Sequence, residues 1–325
     1  MKKRAFITGI NGQTGSYMAE YLLEKDYDVF GLVRRQSNEK FDNIQHILDK
    51  ITLIHGDLTD QSSLLDALAI AKPDECYNFA AQSFVQASWE QPELTANITG
   101  VGVLRLLEAI GKYNRKMKMV QASSSEMFGR VLNTPQSEST PFNPVSPYAV
   151  SKAFAYYMAR TYRFSYDMFV SNAISFNHES PRRGYEFVTR KISLGVAKIK
   201  LGLGDKISLG NIDSKRDWSH AKDIVRGMYL IMQHSEPDDF VLCSGETHSV
   251  REFLTEAFAI IEVKDWERYI EINPKFMRPA EVNLLLGDNT KAKSILNWEP
   301  TIPFKELVRE MVENDIDLLR KLILI

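Results

Sequence analysis

The sequence predicts an α/β protein with a doubly wound parallel sheet and a smaller, discontinuous α/β lobe. Short apolar strands alternate with amphipathic helices through the first half of the 325 residues. A glycine-rich turn joins the first strand to the first helix, and polar side chains follow directly after later strands. Because such sheets bind ligands at the carboxyl ends of their strands, these polar residues are the candidate functional groups.

The composition is that of an ordinary globular protein, with 44% hydrophobic residues, 25% charged residues and a net charge of −2. This balance gives no reason to expect nucleic acid or an anionic membrane as a partner. Cys76 and Cys243 lie in apolar settings typical of reduced core residues, and no metal-ligand spacing occurs among them and the six histidines. The first apolar run breaks at Gly9, too early for a signal peptide, and no run approaches the ~20 residues that span a bilayer. We therefore expect a cytoplasmic protein without a metal.

The first strand, Arg4–Thr8, opens into a turn that is typical of a dinucleotide site. Glycines allow a tight turn and the close approach of a pyrophosphate, which rests on the N-terminus of the next helix. Any tight strand-to-helix turn can use glycine, so a purely structural turn is the alternative. The position of this one, between a strand and a helix, favours a Rossmann domain. The residues concerned are Gly9, Asn11, Gly12, Gln13, Thr14 and Gly15.

The second strand, Asp28–Val33, ends in Arg34 and Arg35. In this fold an acidic residue near that point bonds the ribose 2′-hydroxyl of NAD, whereas arginine suits a 2′-phosphate. Two arginines without a carboxylate therefore predict NADP as the cofactor. The alternative is a solvated loop.

Further strand and helix units continue the pattern. We predict strands over Ile51–Leu58 and Glu75–Ala81, and helices over Gln61–Ala71 and Thr99–Tyr113. The second of these strands ends in small residues, which let a cofactor lie close to the backbone. This alternation is the basis for the parallel sheet.

The candidate catalytic residues follow the next strand, which runs into a polar segment with Ser124 and Glu126. A later helix begins with Tyr148 and Lys152, which are four residues apart and share one helix face. An ammonium beside a phenol favours the phenolate, and a hydroxyl such as Ser124 can share the proton. The set predicts a general acid/base that titrates closer to neutrality than an isolated tyrosine. The spacing alone also arises by chance.

These residues, and several longer segments, resemble the extended short-chain dehydrogenase/reductase family and, within it, the nucleotide-sugar 4,6-dehydratases. The likeness covers essentially the whole chain. The family commonly has Thr where this chain has Ser124 and often Asp where it has Thr14, and Leu94 occupies a position that can be aromatic. Besides the residues above, the segments that carry the resemblance are 57–58, 78–83, 176–184, 186–191, 209–218 and 278–282.

The resemblance implies a full set of binding residues. Arginines are natural partners for a nucleoside diphosphate, although any single one could instead be a surface ion pair. For the cofactor, beyond the turn and the two arginines, the implied residues are Asp57, Leu58, Phe79, Ala80, Ala81, Gln82, Ser83, Tyr148, Lys152, His178 and Arg183. For the nucleotide sugar they are Ser83, Glu126, Asn177, Val188, Lys191, Arg216, Arg278 and Glu281.

The resemblance further implies a closed redox cycle on a nucleotide sugar, with GDP-mannose as the expected substrate and NADP recycled. Tyr148, with Lys152 and Ser124, would take the O4 proton while C4 gives up a hydride. Glu126, two residues beyond Ser124, would face the same way on an extended segment. It would remove the C5 proton and protonate the departing 6-hydroxyl, and the hydride would return to C6.

Several alternatives remain at this point. The substrate could be another GDP-sugar, such as a GDP-heptose. An NADP-dependent reductase or epimerase of a sugar nucleotide would keep Tyr148 and Lys152 without using Glu126. The chain could also be a non-enzymatic NADP sensor or scaffold, because a protein can keep a fold without keeping its catalytic activity. Glu126 itself could be a surface carboxylate that caps the next turn.

The predicted organisation is an NADP-binding Rossmann domain over 1–177, to which 211–237 returns, and a nucleotide-sugar-binding lobe over 178–210 and 238–325. The tail, Phe304–Ile325, is typical of an amphipathic packing helix. The loop Gln36–Phe41 is long for a connection of its kind. In the resembled family this loop reaches the cofactor of a neighbouring subunit, which implies a dimer or tetramer.

Overall fold

In the computed structural model, which describes residues 2–38, 40–131, 133–277, 282 and 284–323, seven parallel strands form one large sheet. The strand order is β11-β6-β5-β4-β1-β2-β3, so the sheet is doubly wound from β1 as predicted. The strands are β1 Arg4–Thr8, β2 Asp28–Val33, β3 Ile51–His55, β4 Glu75–Asn78, β5 Lys118–Ser124, β6 Val170–Ser175 and β11 Asp239–Leu242.

Helices cover both faces of this sheet, because its strands are apolar on both sides. One face packs against α1, α8 and α10, and the other packs against α2, α5 and α6. Their bounds are α1 Gln13–Glu24, α2 Gln61–Ala71, α5 Gly102–Tyr113, α6 Pro147–Tyr166, α8 Ala221–Gln233 and α10 Thr290–Leu296. Two short helices, α3 Val85–Glu90 and α4 Pro92–Thr95, lie between β4 and α5.

The smaller lobe has its own core, in which buried apolar faces of three helices meet around Trp218 and Phe253. The helices are α7 Val188–Lys200, α9 Val250–Ile260 and α11 Phe304–Ile323. Short strand pairs complete the lobe and its junction with the sheet, namely β7 Asn177–Glu179 with β10 Trp218–His220, β9 Lys215–Arg216 with β12 His248–Ser249, and β8 Ile207–Leu209 with β13 Ile270–Ile272.

Two parts of the segment 238–325, which the sequence assigns to the lobe, belong to the large domain. The predicted boundary gave residues 238–325 to the lobe, but Asp239–Leu242 pairs in parallel with β6 as the edge strand of the large sheet. Trp298 is fully buried in the same core as α1 and α8. The boundary fails because a short apolar strand and a lone tryptophan fit either core, and only tertiary pairing decides between them.

Two predicted elements are shorter than expected. The third strand ends at His55 rather than Leu58, and the fourth ends at Asn78 rather than Ala81. The residues that follow each strand form loops at the carboxyl edge of the sheet. The helix predicted from Thr99 is regular only from Gly102, because Ala96–Val101 is a π-helical stretch.

One continuous helical stretch among the described residues, Pro92–Tyr113, is long and apolar enough to cross a membrane by length and composition alone. The sequence pattern predicts no run of that length. Half of its most apolar part is buried inside the protein. The stretch packs against α2 and α6 in the core of the large domain, which accounts for its apolar composition.

Candidate active site

A cavity of about 660 Å³ lies at the carboxyl ends of β1, β4, β5 and β6, between the large sheet and the lobe. Most of the predicted site residues line it together, although they come from segments far apart in the chain. Arg35 lies beside it, and Arg278 and Glu281 fall outside the described residues. The predicted residues that line the cavity are Gly9, Asn11, Gly12, Gln13, Thr14, Gly15, Arg34, Asp57, Leu58, Phe79, Ala80, Ala81, Gln82, Ser83, Ser124, Glu126, Tyr148, Lys152, Asn177, His178, Arg183, Val188, Lys191 and Arg216.

The glycine turn has the geometry that a dinucleotide site requires. Gly9 has a φ of +68°, and a Cβ there would lie 3.0 Å from the Ala80 backbone nitrogen. A Cβ on Gly15 would lie 2.2 Å from the Gly9 carbonyl oxygen. Gly12 forms the N-cap of α1, whose first N–H groups therefore begin at the cavity wall. Such an N-terminus favours an anionic group.

The side chains after this turn are anchored to the segment that follows β6. Gln13 Nε2 donates to the His178 carbonyl oxygen at 3.0 Å, and Gln13 Oε1 accepts from the Ser180 hydroxyl at 2.8 Å. Thr14 Oγ1 lies 2.9 Å from His178 Nε2, and His178 Nδ1 lies 3.0 Å from the Phe176 carbonyl oxygen. A carbonyl can only accept, so Nδ1 carries the proton and Nε2 accepts from Thr14. These contacts hold the turn against β7.

Burial keeps the imidazole of His178 neutral. Burial, reinforced by the Arg183 charge, lowers the pKa of His178 to about 4. His178 is therefore an uncharged side chain at neutral pH, and Thr14 occupies its remaining nitrogen. The sequence indicates Thr14 and His178 as site residues, but it does not predict their contact, because they are 164 positions apart.

A second pocket, of about 390 Å³, adjoins the cavity beside β2 and contains both predicted arginines, Arg34 and Arg35. Its two carboxylates are engaged locally. Asp57 accepts from the Thr59 backbone N–H and hydroxyl at 2.8 Å, and Asp60 caps α2. The pocket therefore offers two guanidinium groups to an anion, which suits a phosphate.

Tyr148 and Lys152 reach the cavity from the first turn of α6, where Pro147 occupies the first helical position and Ser146 caps the helix. Tyr148 is hydrogen-bonded to Ser124. Lys152 Nζ donates to the Ala122 carbonyl oxygen at 2.7 Å and lies 5.9 Å from the centre of the Tyr148 ring. The three side chains thus meet at the end of β5.

The expected lowering of the Tyr148 pKa by Lys152 is wrong. Burial raises the pKa of Tyr148 to about 12, with the Ser124 hydrogen bond and the Arg183 charge opposing and the Glu126 charge adding to the effect. Burial also lowers the pKa of Lys152 to about 8. Desolvation is the largest cause of both pKa shifts, because each group is shielded from water.

The chain contains a second Tyr–x–x–x–Lys pair, and burial is what separates the two. Tyr21 and Lys25 end α1, and the Lys25 Nζ lies 5.2 Å from the Tyr21 ring centre. Lys25 is exposed there, whereas both Tyr148 and Lys152 are buried at the cavity. Spacing alone does not identify the reactive pair.

Glu126 lies in a buried 3₁₀ turn, Ser125–Phe128, rather than on the extended segment that was expected. Ser124 caps this turn by accepting from the Glu126 backbone N–H at 3.2 Å. The Glu126 side chain lines the cavity and only 7% of the residue is exposed. It is therefore not a surface carboxylate, and its charge acts on Tyr148.

The lobe side of the cavity carries the cationic groups. Arg183 Nε lies 3.0 Å from Glu179 Oε2, and the guanidinium is 3.5 Å from the centre of the Phe187 ring. The Glu179 carboxylate also accepts from the Thr189 hydroxyl, at 2.5 Å, which joins β7 to the start of α7. Burial raises the pKa of Glu179, opposed by the Arg183 charge.

Farther along the lobe, Lys191 Nζ lies 3.3 Å from the centre of the Phe276 ring. Burial lowers the pKa of Lys191. Arg216 is buried on β9 and donates to its neighbour's carbonyl oxygen through Nη1. An aromatic ring with two cationic side chains suits a nucleotide with its base and diphosphate.

Sequence reasoning missed several residues that line the cavity. They include the polar residues Ser175, Glu179 and Asn211 and the aromatic residues Phe187 and Phe276. Ser175 ends β6 and Glu179 ends β7, so the rule that polar residues at carboxyl ends of strands are functional would have found both. Asn211 lies in a loop, Phe187 precedes α7 and Phe276 ends a 3₁₀ turn, so no strand end marks these three positions.

Comparison with known proteins identifies relatives along almost the whole chain. The family model described as GDP-mannose 4,6 dehydratase matches residues 6–311. The chain is 48% identical to the human GDP-mannose 4,6 dehydratase, over 97% of this chain and 92% of the relative. It is 45% identical to the GDP-mannose 4,6-dehydratase of Vibrio cholerae, over 97% of this chain and 94% of the relative.

Solved structures with the same fold are more distant in sequence. RMD from Pseudomonas aeruginosa, solved in complex with NADPH, superposes with a TM-score of 0.81 at 24% identity, over 97% of this chain and all of that one (100%). The dTDP-glucose 4,6-dehydratase of Bacillus anthracis, solved with NAD, superposes with a TM-score of 0.83 at 22% identity, over 96% of each chain. These likenesses show the α/β fold.

Proposed function

The chain belongs to the GDP-mannose 4,6-dehydratase family, and on that premise we propose that it converts GDP-mannose to GDP-4-keto-6-deoxymannose. The observation that carries this proposal is the buried carboxylate of Glu126 in the same cavity as Ser124 and Tyr148. An oxidoreductase or epimerase needs only the hydroxyl and phenol pair. An elimination also needs a group that takes a carbon-bound proton and protonates a leaving hydroxyl.

The proposed cofactor is NADP. The glycine turn fits a pyrophosphate, and the pocket with Arg34 and Arg35 fits a 2′-phosphate. NADP bound there would supply a hydride acceptor for C4 of the sugar and a hydride donor for C6, so the cycle needs no external oxidant. The test is a titration of the purified protein with NADP and NAD. Equal affinity for the two would contradict the role of the arginines.

Tyr148 is the proposed acid/base at O4 of the sugar. Its hydroxyl is held by Ser124, which can pass the proton on, and Lys152 is fixed by the Ala122 carbonyl oxygen beside the phenol ring. The buried setting excludes water from this proton transfer. With a pKa of about 12 the Tyr148 phenol is protonated at neutral pH, so it must release its proton through Ser124 as it takes the O4 proton.

Glu126 is the proposed base at C5 and acid at O6. Once C4 is a ketone, the C5 proton is acidic enough for a carboxylate to remove. The same carboxyl group then protonates the departing 6-hydroxyl, which leaves as water. Ser124 supports this role because its side chain caps the turn that carries Glu126, so the two groups keep a constant separation.

The test of the proposal isolates Glu126. A Glu126→Gln variant keeps Ser124, Tyr148 and Lys152, so it should oxidise C4 once, form NADPH on its bound cofactor and then stop. Absorbance of NADPH after mixing with GDP-mannose measures this single turnover. Tyr148→Phe is the matched control, because it should form no NADPH.

Two further measurements complete the test. The variant should lose exchange of the C5 hydrogen with solvent and release no 6-deoxy product, whereas the wild type should turn over without added reductant. A Gln variant that still eliminates water would give the base role to another group. A wild type that consumes NADPH stoichiometrically would be a reductase.

We also propose that the protein is a cytoplasmic dimer or tetramer. Val150, Phe154 and Tyr157 form an apolar stripe on the exposed face of α6, at 54%, 41% and 53% exposure. Lys40 and Phe41, from the long loop after β2, line the cavity of their own chain, so this loop lies beside the proposed cofactor site. Light scattering tests this assembly, and a monomer at working concentration would contradict it. Cell fractionation tests the location.

A further inference from the structure

The hydroxyl of Ser175 is buried in the cavity wall without a hydrogen-bond partner among the described residues. Ser175 is the last residue of β6, and 5% of it is exposed. A hydroxyl removed from water costs free energy unless another group bonds to it. Such groups are uncommon in native proteins, and one that lines a cavity is placed where a ligand can complete the bond.

The register of the sheet places Ser175 next to the reaction centre. Ser175 is paired in register with Ser124 of β5, the residue that holds Tyr148. Residues in register on parallel strands project to the same face, so both hydroxyls point to one side of the carboxyl edge. That side is the one covered by α1 and α8, because Ala173, two residues earlier, packs in their core.

Other unpartnered polar atoms surround the same cavity. Gln82 Oε1 and Asn177 Oδ1 are also buried, line the cavity and lack a partner among the described residues. Ser208 and Ser219 have unpartnered hydroxyls too, but neither lines the cavity. Ser175 differs from these residues because it is buried, its hydroxyl has no hydrogen-bond partner among the described residues, and it lies beside Ser124.

We propose that Ser175 is a binding residue of the reaction centre, whose hydroxyl bonds to a neutral polar group of the bound ligand. A serine hydroxyl both donates and accepts, so the shared chemistry is that of an amide or a hydroxyl. Two sources offer it, namely the carboxamide of a nicotinamide ring and a hydroxyl of the hexose. The proposal rests on the proposed function, because it assumes that these two molecules fill the cavity.

The decisive variant is Ser175→Ala, measured for both stability and binding. In the ligand-free protein it removes an unmet hydroxyl, so the thermal midpoint should stay the same or rise. In the complex it removes one hydrogen bond, so affinity should fall by about threefold to tenfold. If Ser175 had only a structural role, Ser175→Ala would instead lower the thermal midpoint. Ser175→Cys, which keeps a weak donor, should show an intermediate loss.

Ser171→Ala is the matched control on the same strand. Ser171 is fully buried, but its hydroxyl accepts from the Asp238 backbone N–H at 3.1 Å, away from the cavity. This variant should lower the thermal midpoint and leave NADP affinity unchanged. The pair separates a hydroxyl that the protein satisfies from one that a ligand satisfies.

Two binding measurements identify which ligand bonds to the Ser175 hydroxyl. The dissociation constants of NADP and of 2′-phospho-ADP-ribose, which lacks the nicotinamide ring, are measured for wild type and Ser175→Ala. A loss for NADP alone assigns the bond to the carboxamide. No loss for either, together with weaker binding of GDP-mannose to the NADP complex when Ser175→Ala is added to the inactive Tyr148→Phe variant, assigns it to the sugar.

The outcome that overturns the proposal is unchanged binding of all three molecules, or a lower thermal midpoint with unchanged binding. If the wild type binds neither NADP nor GDP-mannose, the proposed function itself fails. The wild-type titrations therefore distinguish the two failures.

Discussion

Buried polar side chains occur at both ends of the large sheet, and the two groups differ in how completely the protein satisfies them. At the amino end, Glu75 accepts from Lys3 at 2.9 Å, from Tyr27 at 3.2 Å and from Tyr77 at 3.1 Å. Gln233 donates to the same carboxylate at 3.2 Å. We call these five residues the amino-end cluster, and none of them lines the cavity.

The carboxyl end carries the same types of polar side chain, but the protein does not satisfy all of their hydrogen bonds. Gln82, Ser175 and Asn177 each keep a buried polar atom without a partner among the described residues. Tyr148, Lys152 and His178 have pKa values of about 12, 8 and 4, with burial as the main cause for each. Burial of polar groups therefore does not mark the functional site. What marks it is hydrogen-bonding and charge capacity that the protein leaves unmet beside a cavity.

The largest expected effect comes from removing the phenol at the carboxyl end. Tyr148→Phe deletes the proton-transfer group and keeps the shape, so turnover of GDP-mannose should fall by roughly 10²–10⁴-fold. Tyr77→Phe, at the amino end, should leave turnover unchanged and lower the free energy of unfolding by about 1 kcal/mol. Steady-state kinetics and denaturant unfolding of both variants measure the contrast. Near-normal turnover of Tyr148→Phe would remove the catalytic assignment.

A second variant tests whether amino-end polar groups matter for stability alone. Asp239, at the start of β11, forms a buried ion pair with Arg163 and accepts from Tyr156 at 2.8 Å and Asn172 at 2.9 Å. Asp239→Asn removes the nearer carboxylate of the buried Arg163 and leaves it the Asp238 carboxylate, at 3.9 Å, so the free energy of unfolding should fall by up to about 3–5 kcal/mol. Turnover per folded molecule, measured at low temperature, should not change. A loss of turnover per folded molecule would contradict the prediction, because it would show that an amino-end polar group also affects catalysis.

The smallest expected effect is a pH dependence that belongs to the carboxyl end. The buried Lys152 has a pKa of about 8 instead of 10.5. Below pH 8 its ammonium is charged in both the folded and the unfolded chain, so the full cost of burying it applies. Between pH 8 and 10.5 the folded chain loses the proton and the unfolded chain keeps it, so stability rises with pH.

Lys152→Met removes this dependence. The gain in unfolding free energy of the variant over wild type should be largest near pH 7, at most about 3 kcal/mol, and should shrink as the pH rises to 10.5. The lost bond to the Ala122 carbonyl oxygen offsets part of that gain. Denaturant unfolding at pH 7 and pH 10 measures the change. A difference that does not vary with pH would show that the ammonium is better solvated than its burial indicates.

Much of this protein could be predicted from local patterns in its sequence. The bounds of β1, β2 and α2 coincide with the predicted ones, because apolar alternation and a capping Asp60 are properties of neighbouring residues. The fold class and the family resemblance are confirmed. Because parallel strands align their carboxyl ends, residues as distant as Gly9 and Ser124 could be expected at one cavity.

Tertiary structure alone decided the rest, because burial and partners depend on residues far apart in the chain. The sequence contains two Tyr–x–x–x–Lys pairs, and only packing shows that one is buried at a cavity. The sequence does not reveal that burial is the main influence on the pKa of Tyr148. Nor does it reveal that β11 joins the large sheet, or that Ser175 comes to lie beside Ser124 with its hydroxyl unmet. Desolvation and register are properties of the assembled sheet, so no local pattern encodes them.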